Sequence, residues 1–245
     1  MRISFFLELA LFSSLLSALA ADPIPPNTLI EAERGAGWRL LWDGKTTDGW
    51  RTPKSERFPA RGWEITNGTL TVLASGRGVS GGGSDIISKE RFSQFELVVD
   101  FKITEGANSG IKYFVQTNPA GLGLEYQLLD DARHPDARGG RNGNRKLGSL
   151  YDLIPASTNK PPCPIGEWNL ARILVQGQHV EHWLNGVKVL EYERGSAFYR
   201  KLVAESKYKN YPDFGEGADG HILLQDHGNR VSFRNLKIRV VAENQ

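Results

Sequence analysis

Apolar and polar residues alternate with a period of two along most of this chain. The longest such run is Phe95-Glu96-Leu97-Val98-Val99-Asp100-Phe101-Lys102-Ile103, and shorter ones recur at 38–42, 63–65, 69–73, 111–116, 124–130, 150–154, 168–176, 179–184, 187–192, 221–226 and 231–241. Successive side chains on a strand face opposite sides, so each run predicts a strand with one buried face. Asn67-Gly68 and Asn185-Gly186 each fall between two alternating runs, the strongest short-range signal for a hairpin. Helix is expected only at 28–36, where Thr28 as N-cap and Glu31 form a capping box, and at 196–209. No stretch keeps a helical period over several turns. Many short strands separated by turn residues predict an all-β fold, a two-sheet antiparallel sandwich or jelly roll.

One strand breaks the usual division into an apolar and a solvated face. In Leu124-Glu125-Tyr126-Gln127-Leu128-Leu129-Asp130, the side chains of Glu125, Gln127 and Leu129 share one face and those of Tyr126, Leu128 and Asp130 the other. A carboxylate beside an amide on a strand expected to be central points to a polar concavity. His227, with Gln225 two residues before it, falls on one face at the end of the run 221–226, and histidine is the natural acid/base near neutral pH. His182 lies opposite Trp183; with Trp183 in the core, His182 points toward the other surface. Asn108 and Lys112 share a face opposite Ile111 and Tyr113.

The segment 131–148 is polar and turn-prone, and an insertion of that length is usually functional or disordered. It carries His134, and with Asp130, Asp131 and Asp136 it raises a metal site, although the spacing has no strong metal signature. Residues 76–83 are glycine-rich but lack the Lys-Ser or Lys-Thr and the helix that a phosphate loop needs, so they read as a flexible connection. No Gly-x-Ser-x-Gly elbow appears, which disfavours serine hydrolase chemistry. The six tryptophans read mostly as core.

Composition narrows the setting. Arg2, the apolar run 3–19, interrupted by Glu8, and then Ala18, Ala20 and Ala21 have the order of a secretory signal, 1–21, with cleavage near Ala20/Ala21. A spanning helix wants about 20 clean apolar residues, so no stable membrane insertion is expected after cleavage, and the protein is expected to be secreted or periplasmic. Residues 22–37, with Pro23, Pro25 and Pro26, read as a lead-in, and 38–245 as a single domain. The lone Cys163 allows no intrachain disulfide. A net charge of +2 from 30 basic and 28 acidic residues supplies no basic field for nucleic acid.

Taken in order, the motifs are similar to those of the 3-keto-disaccharide hydrolase domain family. Leu41-Trp42-Asp43-Gly44-Lys45 and Asp48-Gly49-Trp50 resemble its opening. Phe95-Glu96-Leu97, Ala107-Asn108-Ser109-Gly110-Ile111, Leu124 to Asp130, Gly166-Glu167-Trp168-Asn169 and His182-Trp183-Leu184-Asn185-Gly186 follow in its order. Gly220 to Gly228, then Phe233-Arg234-Asn235-Leu236, resemble its ending. The resemblance covers essentially the whole mature chain. It implies a concanavalin A-like jelly roll and an exported protein acting on carbohydrate, by cleavage of glycosides oxidised to a ketone at C3. Set beside that chemistry, the candidates are Glu125, His227 and His182 for catalysis, and Gln127, Asn108, Gln225 and Lys112 for sugar contacts, with Tyr151 and Lys207 in reserve. Glu125 reads as base or metal ligand. A divalent metal ion stays open as a cofactor, with Glu125, Asp130 and His134 as its ligands. A lectin-like module that binds sugar without turning it over is the alternative.

Overall fold

The computed structural model describes residues 24–75 and 84–242. The signal read at 1–21 and the glycine-rich stretch 76–83 lie outside them. Thirteen strands appear among the described residues: β1 Arg39–Leu40, β2 Trp50–Arg51, β3 Trp63–Thr66, β4 Thr69–Val72, β5 Ile86–Ser88, β6 Phe95–Ile103, β7 Asn108–Thr117, β8 Ala120–Leu129, β9 Asn169–Gln176, β10 His179–Leu184, β11 Val187–Glu193, β12 His221–Leu224 and β13 Val231–Val240. Two helices, α1 Glu31–Gly35 and α2 Ala197–Ala204, flank them. The strands pair antiparallel in two sheets. The larger runs β11-β10-β9-β6-β13-β4-β3, with β1 also on β13; the smaller runs β2-β5-β12-β7-β8. This is the two-sheet antiparallel jelly-roll sandwich expected. No helix among the described residues is long and apolar enough to cross a membrane.

The inward positions of the two sheets build one apolar core. On β6, Phe95, Leu97, Val99, Phe101 and Ile103 all point inward. From β7 and β8 come Ile111, Tyr113, Leu124, Tyr126 and Leu128. Register shifts on β13 and β7 are among those that break the period of two. On β13 the register shifts between Arg234 and Lys237, where Asn235 has a φ of 52°. Inward positions therefore step from Phe233 to Leu236 and Ile238. Asparagine tolerates that conformation because its short polar side chain bonds locally. Here Asn235 and Asn27 exchange backbone-to-side-chain bonds of 2.5 and 2.8 Å, which docks the lead-in onto β13. On β7 the shift follows Tyr113, and Phe114 at φ 51° turns inward beside it.

The tryptophans correct the sequence reading. Trp42 and Trp50 are core, but Trp38, Trp168 and Trp183 are half-buried and carry arginine guanidinium groups over their rings, at 5.1 Å for Arg239, 4.1 Å for Arg234 and 4.6 Å for Arg172. Trp183 therefore faces outward on β10, and its neighbour His182 faces inward. His182 is fully buried between the sheets. Its Nδ1–H donates to the Gly148 carbonyl (3.1 Å), and its Nε2 accepts from the Tyr113 hydroxyl (2.7 Å), which in turn bonds Tyr192 (2.8 Å).

Burial lowers the His182 pKa to about 4, against a smaller opposing effect of the Gly148 bond. The folded ring thus refuses a proton that the unfolded chain accepts near 6.5. Its contribution to stability is intact above that value and is lost as pH falls from about 6.5 to about 4, by up to roughly 3 kcal/mol. Urea melts at pH 7.5 and 4.5 should therefore show a smaller pH-dependent loss in His182→Gln than in the parent. Equal losses would refute the assignment.

Candidate functional site

The site is built on the face of the smaller sheet that points away from the core. The period of two sends Tyr126 inward, where its hydroxyl donates to the Trp183 carbonyl (3.1 Å), and sends Glu125 and Gln127 outward. The strand carrying them is not central: β8 lies at the margin of its sheet. Its free edge is closed by the insertion, which returns to pair with it. Gln127 N–H donates to Ser149 O (3.1 Å), Gly148 N–H to Gln127 O (2.9 Å) and Tyr151 N–H to Glu125 O (3.0 Å). The polar segment 131–148 is thus an ordered wall beside the site, with a short 3-10 turn at Pro135–Arg138.

Glu125 lies over Gly110 of β7, with Lys112 Nζ 3.7 Å from its Oε2. Its side chain is only 5% exposed, so the pair is shielded from the screening that weakens surface ion pairs. The Gln127 amide sits between two acceptors, the Ser109 carbonyl and Glu125 Oε1, both 3.2 Å away, and donates to both. Its other end lies 3.3 Å from the Asn108 amide, which reaches to 3.4 Å of His227 Nε2. His227 meets the ring of His134 edge to face at 5.8 Å. Burial lowers the pKa of both imidazoles; for His227 the nearby His134 lowers it further, while Glu125 and Asp136 oppose. His134 Nδ1 accepts from Asp136 N–H (3.2 Å), so the neutral ring carries its proton on Nε2.

Behind the histidines stands a charged lattice. Asp136 accepts from the Tyr151 hydroxyl (2.8 Å) and from Arg145 (3.0 Å), and Arg145 also holds Asp152 (2.7 Å). Lys207 places its ammonium 4.0 Å over the Tyr151 ring, where partial desolvation lowers its pKa against the opposing pull of Glu125. Asp85, just before β5, accepts from Asp226 N–H (2.9 Å). Its pKa is raised by burial, with Lys112 opposing and the carboxylates of Glu125 and Asp226 adding to the rise.

The structure brings Glu125, Gln127, Asn108, Lys112, His227, Tyr151 and Lys207 together. Gln225, two residues before His227, donates its N–H to the Gly110 carbonyl (3.0 Å), which ties it to the same strand pair. His182 is not among them: it is a strut of the core, and its assignment to catalysis is corrected by its burial against Tyr113 and Gly148. The metal triad is corrected as well. Asp130 is 3% exposed and is consumed by the N–H groups of Gly106, Ala132 and Arg133 (2.8, 3.1 and 3.3 Å). Burial raises its pKa, and those bonds with the Arg133 charge more than offset it, for a net lowering. The only three-membered His and carboxylate grouping with metal-like closeness among the described residues is His179, Glu181 and Glu191, elsewhere on the molecule, where Lys188 already bonds both glutamates (3.2 and 2.6 Å). Among the described residues, no such grouping includes Glu125.

Sequence reasoning missed Asp85 and the placement of His134 against His227. Neither has a local signal, because Asp85 is distant in sequence from β8 and His134 is distant from the His227 it meets. The fold and the site define the class as a two-sheet β-sandwich of the jelly-roll type, carrying a shielded carboxylate–amide–imidazole cluster on its smaller sheet. The chain belongs to the 3-keto-alpha-glucoside-1,2-lyase-like domain family, which it matches over residues 37–239. It is 36% identical over 230 residues to a 3-keto-disaccharide hydrolase of Bacteroides thetaiotaomicron, covering 84% of this chain and 79% of that protein. Two solved proteins of Parabacteroides distasonis assigned as glycosyl hydrolases share the fold. One has a TM-score of 0.77 at 32% identity, covering 89% of this chain and all of the other; the second has 0.61 at 27%, covering 83% and 99%.

Proposed function

We propose that this protein is an exported carbohydrate-active enzyme that cleaves 3-keto glycosides, 3-keto disaccharides among them, by elimination across C1 and C2 followed by hydration. The observation that carries this reading is the cluster itself: a shielded carboxylate and an imidazole whose pKa burial lowers, brought together on the outer face of the smaller sheet. The family and its Bacteroides relative support the substrate class.

A ketone at C3 acidifies the proton on C2. A base removes that proton, and the C–H electron pair moves into the C2–C3 enolate. The enolate then re-forms the ketone, the new C1–C2 double bond expels the C1 oxygen, and that oxygen takes a proton. Addition of water across C1–C2 completes net hydrolysis. The base is drawn from Glu125 and His227. His134, with its proton on Nε2, is the donor at hand for the departing oxygen. Lys112, Lys207 and Tyr151 add cationic and hydroxyl groups to the same cluster, suited to the enolate and the sugar. No two-carboxylate oxocarbenium arrangement is needed.

The test is incubation with a 3-keto disaccharide, with and without chelator, following release of the leaving sugar. Release expected with and without chelator supports the reading. Saturable binding with no release above background would replace it with a lectin-like module.

A further inference from the structure

Gln127 and Asn108 were expected to touch sugar, yet they are 0% and 3% exposed. They are buried under their neighbours rather than open to a sugar, and their hydrogen bonds have a direction. Both neighbours of the Gln127 amide nitrogen, Ser109 O and Glu125 Oε1, are obligate acceptors, so its NH₂ must face them. Its oxygen then faces Asn108 at 3.3 Å and needs a donor there, which only the Asn108 NH₂ can be. The Asn108 amide end that lies 3.4 Å from His227 Nε2 is its nitrogen; turning that amide to satisfy Gln127 puts its oxygen there instead, and Nε2 must then carry a hydrogen to meet it. The remaining ring nitrogen, His227 Nδ1, is buried with no hydrogen-bond partner, as is Gln225 Oε1 two residues earlier. An unpaired buried acceptor costs about 1–3 kcal/mol, a cost that fits a group held ready for a reactant.

We propose that Gln127 and Asn108, anchored by Glu125 and the Ser109 carbonyl, are positioning residues whose one-way hydrogen-bond relay fixes His227 as its Nε2–H tautomer and makes Nδ1 the proton-accepting nitrogen of the site. This rests on the elimination reading above and divides its base candidates: His227 takes the C2 proton, and Glu125 acts through the relay. The opposite tautomer would turn the Gln127 oxygen toward a carboxylate and a carbonyl.

The relay is read directly by the ¹⁵N shifts of His227 in histidine-labelled protein, where protonated and bare ring nitrogens are well separated. The parent should show a bare Nδ1 and a protonated Nε2. Gln127→Met removes both amide atoms at similar length and should give mixed tautomers with a kcat about 10-fold lower or more, with KM changed less. Asn108→Asp, whose carboxylate still accepts from Nε2–H, should keep the single tautomer. A parent ring protonated on Nδ1, or a Gln127→Met ring identical to the parent's, would overturn the proposal. Should Gln127→Met not fold, the parent and Asn108→Asp spectra decide it. The spectra do not depend on turnover, so loss of the 3-keto reading and loss of the relay are separate outcomes.

Discussion

Replacing His227 by alanine should lower kcat on a 3-keto disaccharide by about 10²–10⁴-fold, the range that a positioned general base supplies. The melting temperature should fall by only a few degrees, because the ring gives little to the fold beyond one 3.4 Å contact to Asn108 and one ring contact to His134, and its buried Nδ1 has no partner. Losing a buried group that is already unsatisfied costs less than breaking a complete bond. The pH dependence gives a second, independent signature. Burial and the neighbouring His134 lower the His227 pKa, with Glu125 and Asp136 pulling the other way. The net direction is down, so the ring keeps its basic form below the ordinary imidazole value of about 6.5. The parent should therefore stay active into mildly acid solution and lose rate only below that value, while the residual rate of His227→Ala should lack this limb. An alanine variant with parental kcat and the same acid limb would show that another group is the base.

How much of this site could be read from the chain depends on what each residue's position rests on. Glu125 and Gln127 were legible because the period of two acts on every strand residue, and an acid beside an amide on an otherwise apolar strand stands out. Lys112 and Asn108 followed from the same rule on β7. The rule failed at bulges, since nothing in Val231 to Val240 marks Asn235 as the residue that takes a φ of 52° and shifts Leu236 and Ile238 into the core. It also left the choice between His182 and Trp183 to hydrophobicity, which chose wrongly. Trp183 finds a partner outside in the Arg172 guanidinium at 4.6 Å, and His182 finds two hydrogen bonds inside. A fully bonded neutral imidazole is as acceptable in a core as an indole, so the chain alone could not order them. His134 needed the whole insertion to fold against β8 before it met His227. The fold was legible because it rests on many redundant strands, whereas the site rests on a few contacts between segments far apart in sequence.

Two glycines should separate the site from the scaffold. A Cβ on Gly110 would collide with Glu125 Oε1 and lie 2.9 Å from its Cγ and Cδ. The obstacle is the end of a flexible side chain, so the fold yields by moving Glu125 rather than its own backbone. Alanine also lowers the entropic cost of glycine in a strand by about 0.5–1 kcal/mol, so the net stability of Gly110→Ala should stay within roughly 1 kcal/mol of the parent. Activity should not survive as well, because a displacement near 1 Å at a positioned group costs on the order of 10²-fold. Glu125 would leave both Lys112 and Gln127. At Gly220 the collision is with backbone: Phe114 C and Cα, and Val115 N at 2.7 Å. Those atoms belong to the β7 bulge, where Phe114 already holds φ at 51° and its ring is packed in the core. They cannot turn aside as a side chain can. Gly220→Ala should therefore lose about 3 kcal/mol or more in urea unfolding, with activity falling only as the folded fraction does. If Gly110→Ala keeps the parent's kcat/KM, the placement of Glu125 over that glycine is not part of the machinery. If Gly220→Ala is as stable as the parent, the close approach of the two segments is not what holds the bulge.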